Sequence, residues 1–136
     1  MSADLVHIDP QSPHWPGAEP YLQSALDEGG GNKDWGLDDI RAMALAVQID
    51  VWVLIDHATG LFGACVTVFN QYPRRRALDV LLLGTDPHRQ DGWRECLEEL
   101  KGIARIAGAD SITGTGRPGW ARMLGAKERR IFELEV

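Results

Sequence analysis

The residues best placed for chemistry lie in Thr85-Asp86-Pro87-His88-Arg89-Gln90-Asp91-Gly92, a polar loop between an apolar run and a helical stripe. A loop that ends at a helix N-terminus gathers free backbone N–H groups and the positive end of the helix dipole, so it can hold an anion. Arg89 and Arg94 add positive charge. Asp86 and Asp91 oppose it, and Asp91 is also placed to act as a plain N-cap. A second candidate is Asp79, a carboxylate in the middle of an apolar run. Such a charge needs a reason: it can serve as a general base, or it can pair with an arginine. Thr113 and Thr115 could order a water, although strand threonines need no such role. His88 and His57 read as surface residues in a loop and a turn. Arg74-Arg75-Arg76 reads as a solvated corner, or as a contact for an acidic partner. The four histidines and two cysteines show no ligand spacing, so no metal site is expected. Neither a Ser–His–Asp arrangement, a P-loop nor a dinucleotide fingerprint is present.

The elements that must position these residues follow from hydrophobic periodicity. Residues 77–83, Ala-Leu-Asp-Val-Leu-Leu-Leu, are an apolar run bounded by arginines and Gly84, the pattern of a strand covered on both faces. Trp93, Cys96, Leu97, Leu100, Ile103, Ala104 and Ala107 form the stripe of a core-facing helix opening at Trp93, with Gly108 as its C-cap. Upstream, residues 4–9 read as a strand stopped by Pro10. A helix starts near Pro16 and ends at the three glycines from Gly29. A second helix runs from Leu37 to Gln48, with Leu37, Ile40, Met43, Ala44 and Val47 facing inward. From Asp50 the period becomes that of strands, and residues 51–55 and 61–70 form an antiparallel hairpin around an Asp-His-Ala-Thr-Gly turn. After the long helix, residues 110–115 form a strand parallel to 77–83, because a helical crossover joins them. A short helix from Gly116 to Leu124 and a strand over 128–136 close the chain.

A length of 136 residues makes one domain, spanning residues 1–136, large enough to bury a core. Hydrophobic content of 44% with 25% charged residues is that of a soluble globular chain. The net charge of −6 argues against a general nucleic-acid binder. Cys65 and Cys96 fall in a strand and a helix stripe and read as buried thiols, which suits a reducing cytoplasm. No apolar run approaches the ~20 residues of a membrane span, and no signal-peptide core follows Met1.

This order of elements resembles the GNAT N-acetyltransferase fold along nearly the whole chain. In that family the fourth strand leads through a pyrophosphate-binding loop, Gln/Arg-x-x-Gly-x-Gly/Ala, into the third helix. Arg89-Gln90-Asp91-Gly92-Trp93-Arg94 matches the Arg and the first Gly, and departs at the last position, where Arg94 replaces a small residue. A narrower resemblance, to the small GNAT-like proteins of tailed phages and prophages, rests on two segments and the frame between them. The segments are Gln71-Tyr72-Pro73-Arg74 and Gly116-Arg117-Pro118-Gly119-Trp120-Ala121-Arg122; between them lie a strand ending in Gly84 and a helix opening at Trp93.

The resemblance implies an α/β fold with a mixed, mostly antiparallel sheet, helices on both faces, and parallel, splayed fourth and fifth strands. It implies acetyl-CoA in the cleft between those strands. The pantetheine arm would lie on the backbone of Leu81, Leu82 and Leu83, and the pyrophosphate on the amides of His88, Arg89, Gln90, Asp91, Gly92, Trp93 and Arg94. Catalysis would be direct acyl transfer to a small-molecule or protein amine, with a carboxylate or water chain taking a proton and a donor protonating the leaving thiolate. From the residues themselves, Asp79 is the candidate base, Thr113 a candidate on the acceptor side, and Arg117 and Trp120 read as structural or substrate-facing. The family often uses a tyrosine near the start of its fourth helix as general acid; Tyr21 and Tyr72 both lie elsewhere. The other reading is a GNAT-like domain without catalysis, acting as a phage structural or host-interaction protein. The expected location is the cytoplasm, that of the host if the chain is phage-encoded, with the virion as an alternative, and with no membrane or nucleic-acid partner; a homodimer is open.

Overall fold

The computed structural model describes residues 3–29, 31–115, 124–127 and 133–135. Their order is β1 (Ala3–Ile8), α1 (Trp15–Gly29), a 3-10 turn (Gly31–Lys33), α2 (Leu37–Leu45), β2 (Asp50–Asp56), β3 (Gly60–Gln71), β4 (Arg76–Thr85), α3 (Gln90–Ile106) and β5 (Ser111–Gly114). The five strands form one sheet in chain order. The first three pairings are antiparallel, and β4 and β5 run parallel, as the helical crossover requires.

Alternation along the strands sends two apolar sets to opposite faces. On one face α1 buries Trp15, Ala18, Leu22 and Leu26 against Val51, Val53, Ala64 and Val66, with Ile40 of α2. On the other face α3 buries Trp93, Cys96, Leu100 and Ala104 against Leu54, Phe62, Cys65 and Leu78. The helices therefore cover both faces, and each of their stripes is apolar for that reason. Both cysteines are buried free thiols. The carboxylates of Glu95 and Glu99 accept the N–H groups of Ala3 and Leu5, at 2.7 and 3.3 Å, so α3 also covers the outer edge of β1. No described helix is long and apolar enough to cross a membrane.

Four expectations are corrected. The second helix stops at Leu45 instead of Gln48, and Val47 is 81% exposed, while Ile49 takes the buried place. The Val47 N–H bonds to the Ala44 carbonyl and the Gln48 N–H to the Met43 carbonyl, which closes a Schellman motif with Val47 at φ +57°. The third helix opens at Gln90, ahead of the apolar stripe, because its first turn is polar. β4 is not covered throughout: Ala77, Leu78 and Gly84 are buried, but residues 79–83 are only half-buried. Ala107, read as inward, lies past the end of α3 and is exposed. The short helix expected from Gly116 falls outside the described residues except at Leu124. The closing strand expected over 128–136 is described only at 133–135, which lie in no strand.

Two bulges shape the end of the sheet that carries the loop. The register of β2 and β3 passes from Leu54↔Gly63 to Ile55↔Leu61, leaving Phe62 unpaired on β3. The register of β3 and β4 passes from Val66↔Leu82 to Thr67↔Val80, leaving Leu81 unpaired on β4. Bulges re-aim side chains and interrupt pairing, and both lie beside the polar loop or the strand that leads to it.

Candidate functional site

The fifth strand stops short. It pairs with β4 only from Ala77↔Ser111 to Val80↔Gly114, while β4 continues to Thr85. Among the described residues, no strand pairs with that edge of β4 beyond Val80. The parallel pair thus opens at the Leu81 bulge, and the open edge runs into the loop and α3. The side chains of Leu81 and Leu82 pack towards α1, and that of Leu83 towards α3, so what the edge offers a ligand is backbone.

The loop itself is held on three sides. The Asp86 N–H donates to the carbonyl of bulged Phe62, at 2.9 Å. The Tyr21 hydroxyl donates to Asp86 Oδ1, also at 2.9 Å. Burial pushes the Tyr21 phenol up to about 12, helped by the Asp86 charge, so it stays protonated as a donor. The close pass of α1 over β4 that makes this bond possible requires Gly84, where a Cβ would collide with the Tyr21 carbonyl.

The third attachment runs through Arg89. Its guanidinium lies 4.7 Å above the centre of the Phe62 ring. Nη2 meets Asp56 Oδ2 at 2.5 Å, and Nη1 donates to Thr59 Oγ1 at 3.1 Å. Asp56 is 3% exposed and, at its other oxygen, accepts the N–H groups of Ala58 and Thr59, at 2.7 and 3.2 Å. The Ala58 N–H first, and the guanidinium next, hold its carboxyl below the usual range. Gly92 completes the packing: a Cβ there would lie 2.7 Å from Phe62 Cζ. The first turn of α3 is therefore seated on the bulged ring.

At the start of the helix the N-cap position is Arg89, with no side-chain cap, and Asp91 falls in the first turn. The expectation of Asp91 as N-cap is corrected. Its Oδ1 instead accepts the Gly92 N–H at 3.0 Å, an amide shared with the Arg89 carbonyl. The N–H groups of Gln90 and Asp91 precede the first intrahelical acceptors, as at any helix start. His88 and Arg94 are exposed, and Trp93 is 2% exposed in the core beneath α3.

Asp79 lies across from Thr113 in the β4–β5 register, and Thr113 Oγ1 donates to its Oδ1 at 3.1 Å. The partner is a hydroxyl; among the described residues no arginine pairs with Asp79. Partial burial raises its carboxyl above the ordinary range, with the Thr113 bond working against that shift. Thr113 and Asp79 thus meet one pair before the strands part. Arg117 and Trp120 lie outside the described residues. Arg74, Arg75 and Arg76 sit at the opposite end of the sheet, where Arg75 and Arg76 lie over the rings of Tyr72 and Phe69.

Sequence reasoning placed the loop but missed Asp56, Phe62 and Tyr21 as its anchors. Asp56 opens an evident turn, yet nothing local signals a bond to a residue 33 positions on.

No family model matches the sequence, and neither does any curated protein. Solved structures do match in shape. A probable acetyltransferase superposes with a TM-score of 0.71 at 12% identity, over 97% of this chain and 95% of that one. An aminoglycoside acetyltransferase from an uncultured soil metagenomic sample gives 0.66 at 17% identity, over 100% and 99%. The aminoglycoside N-acetyltransferase AAC(6')-Iy, in complex with CoA, gives 0.68 at 14% identity, over 98% and 95%. Likeness at these identities establishes architecture, and the architecture of this chain is GNAT-like.

Proposed function

We propose that this chain is an acetyl-CoA-dependent N-acetyltransferase that transfers the acetyl group directly to an amine of a small molecule or protein. The observation that supports this best is the edge of β4 that no described strand pairs beyond Val80, running into the first turn of α3. An extended arm bearing amides can bond to such an edge as an added strand does. Its phosphates then meet the amides at the helix start. The solved neighbour that holds CoA supports the choice of donor.

Acetyl-CoA supplies an acyl group on a thiol leaving group. Asp79 accepts the proton that the amine loses as its nitrogen bonds to the acyl carbon; the C–S bond breaks and the thiolate is protonated from water. The raised pKa of Asp79 brings it nearer to a base that works at neutral pH, and Thr113 fixes its orientation. Arg117 and Trp120, read from the sequence as structural or substrate-facing, are taken here as acceptor-side residues. A thermal-shift titration tests the reading: at about 100 times Kd, acetyl-CoA should add about 2.7 kcal/mol of stability. Absence of any shift at millimolar acetyl-CoA would overturn it.

The second reading is a GNAT-like domain that works by contact with a phage or host protein and has no catalysis. The engagement of Arg89 with Asp56 favours it, because the signature arginine then offers little to a phosphate. On that reading acetyl-CoA produces no shift.

A further inference from the structure

The arginine of the loop signature faces the protein. Its side chain is 19% exposed, its guanidinium stacks on a buried ring, and its two terminal nitrogens reach Asp56 and Thr59 across the β2–β3 turn. The same ring contacts the space above Gly92, and the carbonyl of the same bulged residue takes the Asp86 N–H. One residue of β3, Phe62, therefore touches the loop before α3 and the helix's first turn, and Arg89 ties that ring to the only buried carboxylate among the described residues.

We infer that Arg89 is a positioning residue: with Asp56 and Phe62 its guanidinium sets the first turn of α3 against the β2–β3 turn, and so orients the amides that the family resemblance already gives to the pyrophosphate. This rests on the acetyl-CoA reading above. A fork of N–H donors already committed to a buried carboxylate and a hydroxyl cannot turn to a phosphate without leaving that carboxylate unpaired, which is costly. What the pair gives instead is rigidity at the point where the Gln90 and Asp91 amides open the helix. The seat is built from a β-bulge, an ion pair and a glycine contact, so displacing any one of them moves the amides together.

The two roles predict opposite signs for one substitution. If Arg89 positions the turn, Asp56→Asn weakens CoA binding on the order of tenfold, the weight of one well-made bond to a charged group, and Arg89→Gln weakens it similarly. The dependence of Kd on salt then keeps the wild-type slope in both, because no phosphate contact has been lost. Acetyl-pantetheine, which lacks the pyrophosphate, binds the variants and the wild type alike. If Arg89 contacts the phosphate, Asp56→Asn frees it and tightens CoA binding, while Arg89→Gln flattens the salt slope; either result overturns the inference.

Thr59 is exposed, so Thr59→Val provides a variant that folds even if Asp56→Asn does not, and it should show a smaller loss of CoA affinity with the slope unchanged. An unaltered or increased affinity in Thr59→Val counts against positioning. Isothermal titration of the full chain with CoA and with acetyl-pantetheine reads all of these. A wild-type chain that binds neither overturns the acetyl-CoA reading itself, and the inference with it; a wild-type chain that binds CoA while Asp56→Asn binds more tightly overturns the inference alone.

Discussion

Arg89 Nη2 lies 2.5 Å from Oδ2 of Asp56, and the carboxylate it meets is 3% exposed. Removing one partner of a buried pair leaves the other charge without compensation, so the two single losses need not be equal. Asp56 also accepts two N–H groups of its own turn. Asp56→Ala should therefore lower the melting temperature more than Arg89→Met does. The pH dependence has a definite sign. The folded carboxyl is held below its ordinary range, so the stabilisation is fully present above that range and is lost as pH falls from it through the lowered folded value. Melting curves from neutral pH downward should show an acid-side loss in the wild type that is reduced in Asp56→Asn. Equal acid sensitivity of the two proteins would contradict the role given to Asp56.

Gly92 has a packing reason to be glycine that is independent of any ligand. A methyl group there would press on Phe62 Cζ and Cε2, at 2.7 and 2.8 Å, and Phe62 is 2% exposed. Overpacking of this kind costs about 1–3 kcal/mol. Urea unfolding of Gly92→Ala should show that loss, and Phe62→Leu added to it should cost less than the two single losses summed, because the smaller side chain makes room. Additive losses would mean that the two positions are not in contact.

Asp91 places its own carboxylate on the Gly92 amide. If that amide belongs to the anion site, Asp91→Ala removes one of its two acceptors and a repelling charge. CoA should then bind about fivefold more tightly, the factor that roughly 1 kcal/mol provides. The same change removes an acid from the first turn of α3 and should lower stability by about 0.3–1 kcal/mol. Titration and unfolding on one variant read the two opposite effects. Weaker CoA binding would exclude the Gly92 amide from the site.

Val47 occupies a left-handed backbone position at φ +57°, where a β-branched residue is strained. It is exposed, so little packing is lost on substitution. Val47→Gly should stabilise the chain by about 1 kcal/mol, measured by urea unfolding, after allowance for the greater freedom of glycine in the unfolded chain. A loss of stability would show that the Val47 side chain contributes contacts that outweigh the strain.

Two helix ends show what the sequence could and could not reveal. The end of α3 was legible, because Gly108 holds the left-handed position at φ +77° and glycine announces that role. The end of α2 uses the same pair of backbone bonds with Val47 in that position, and a valine in register with an apolar stripe reads as continuation. The parallel β4–β5 pairing was legible from the helical crossover, but the early end of β5, which opens the edge, was not: Thr115 continues the strand composition past Gly114. The loop was legible as polar residues before a helix. Its attachment to Asp56 and Phe62 was not, because both contacts depend on how a hairpin with a bulge comes to lie under α3. Local periodicity carries no information about such a meeting.

The most direct test maps the ligand onto the backbone. In an amide nitrogen–proton NMR titration with CoA, the largest shifts are expected at residues 81–85 and at the Gln90 and Asp91 amides, with the Arg74–Arg76 corner unchanged. Shifts centred on that corner, or none along β4 with CoA in saturating excess, would contradict it.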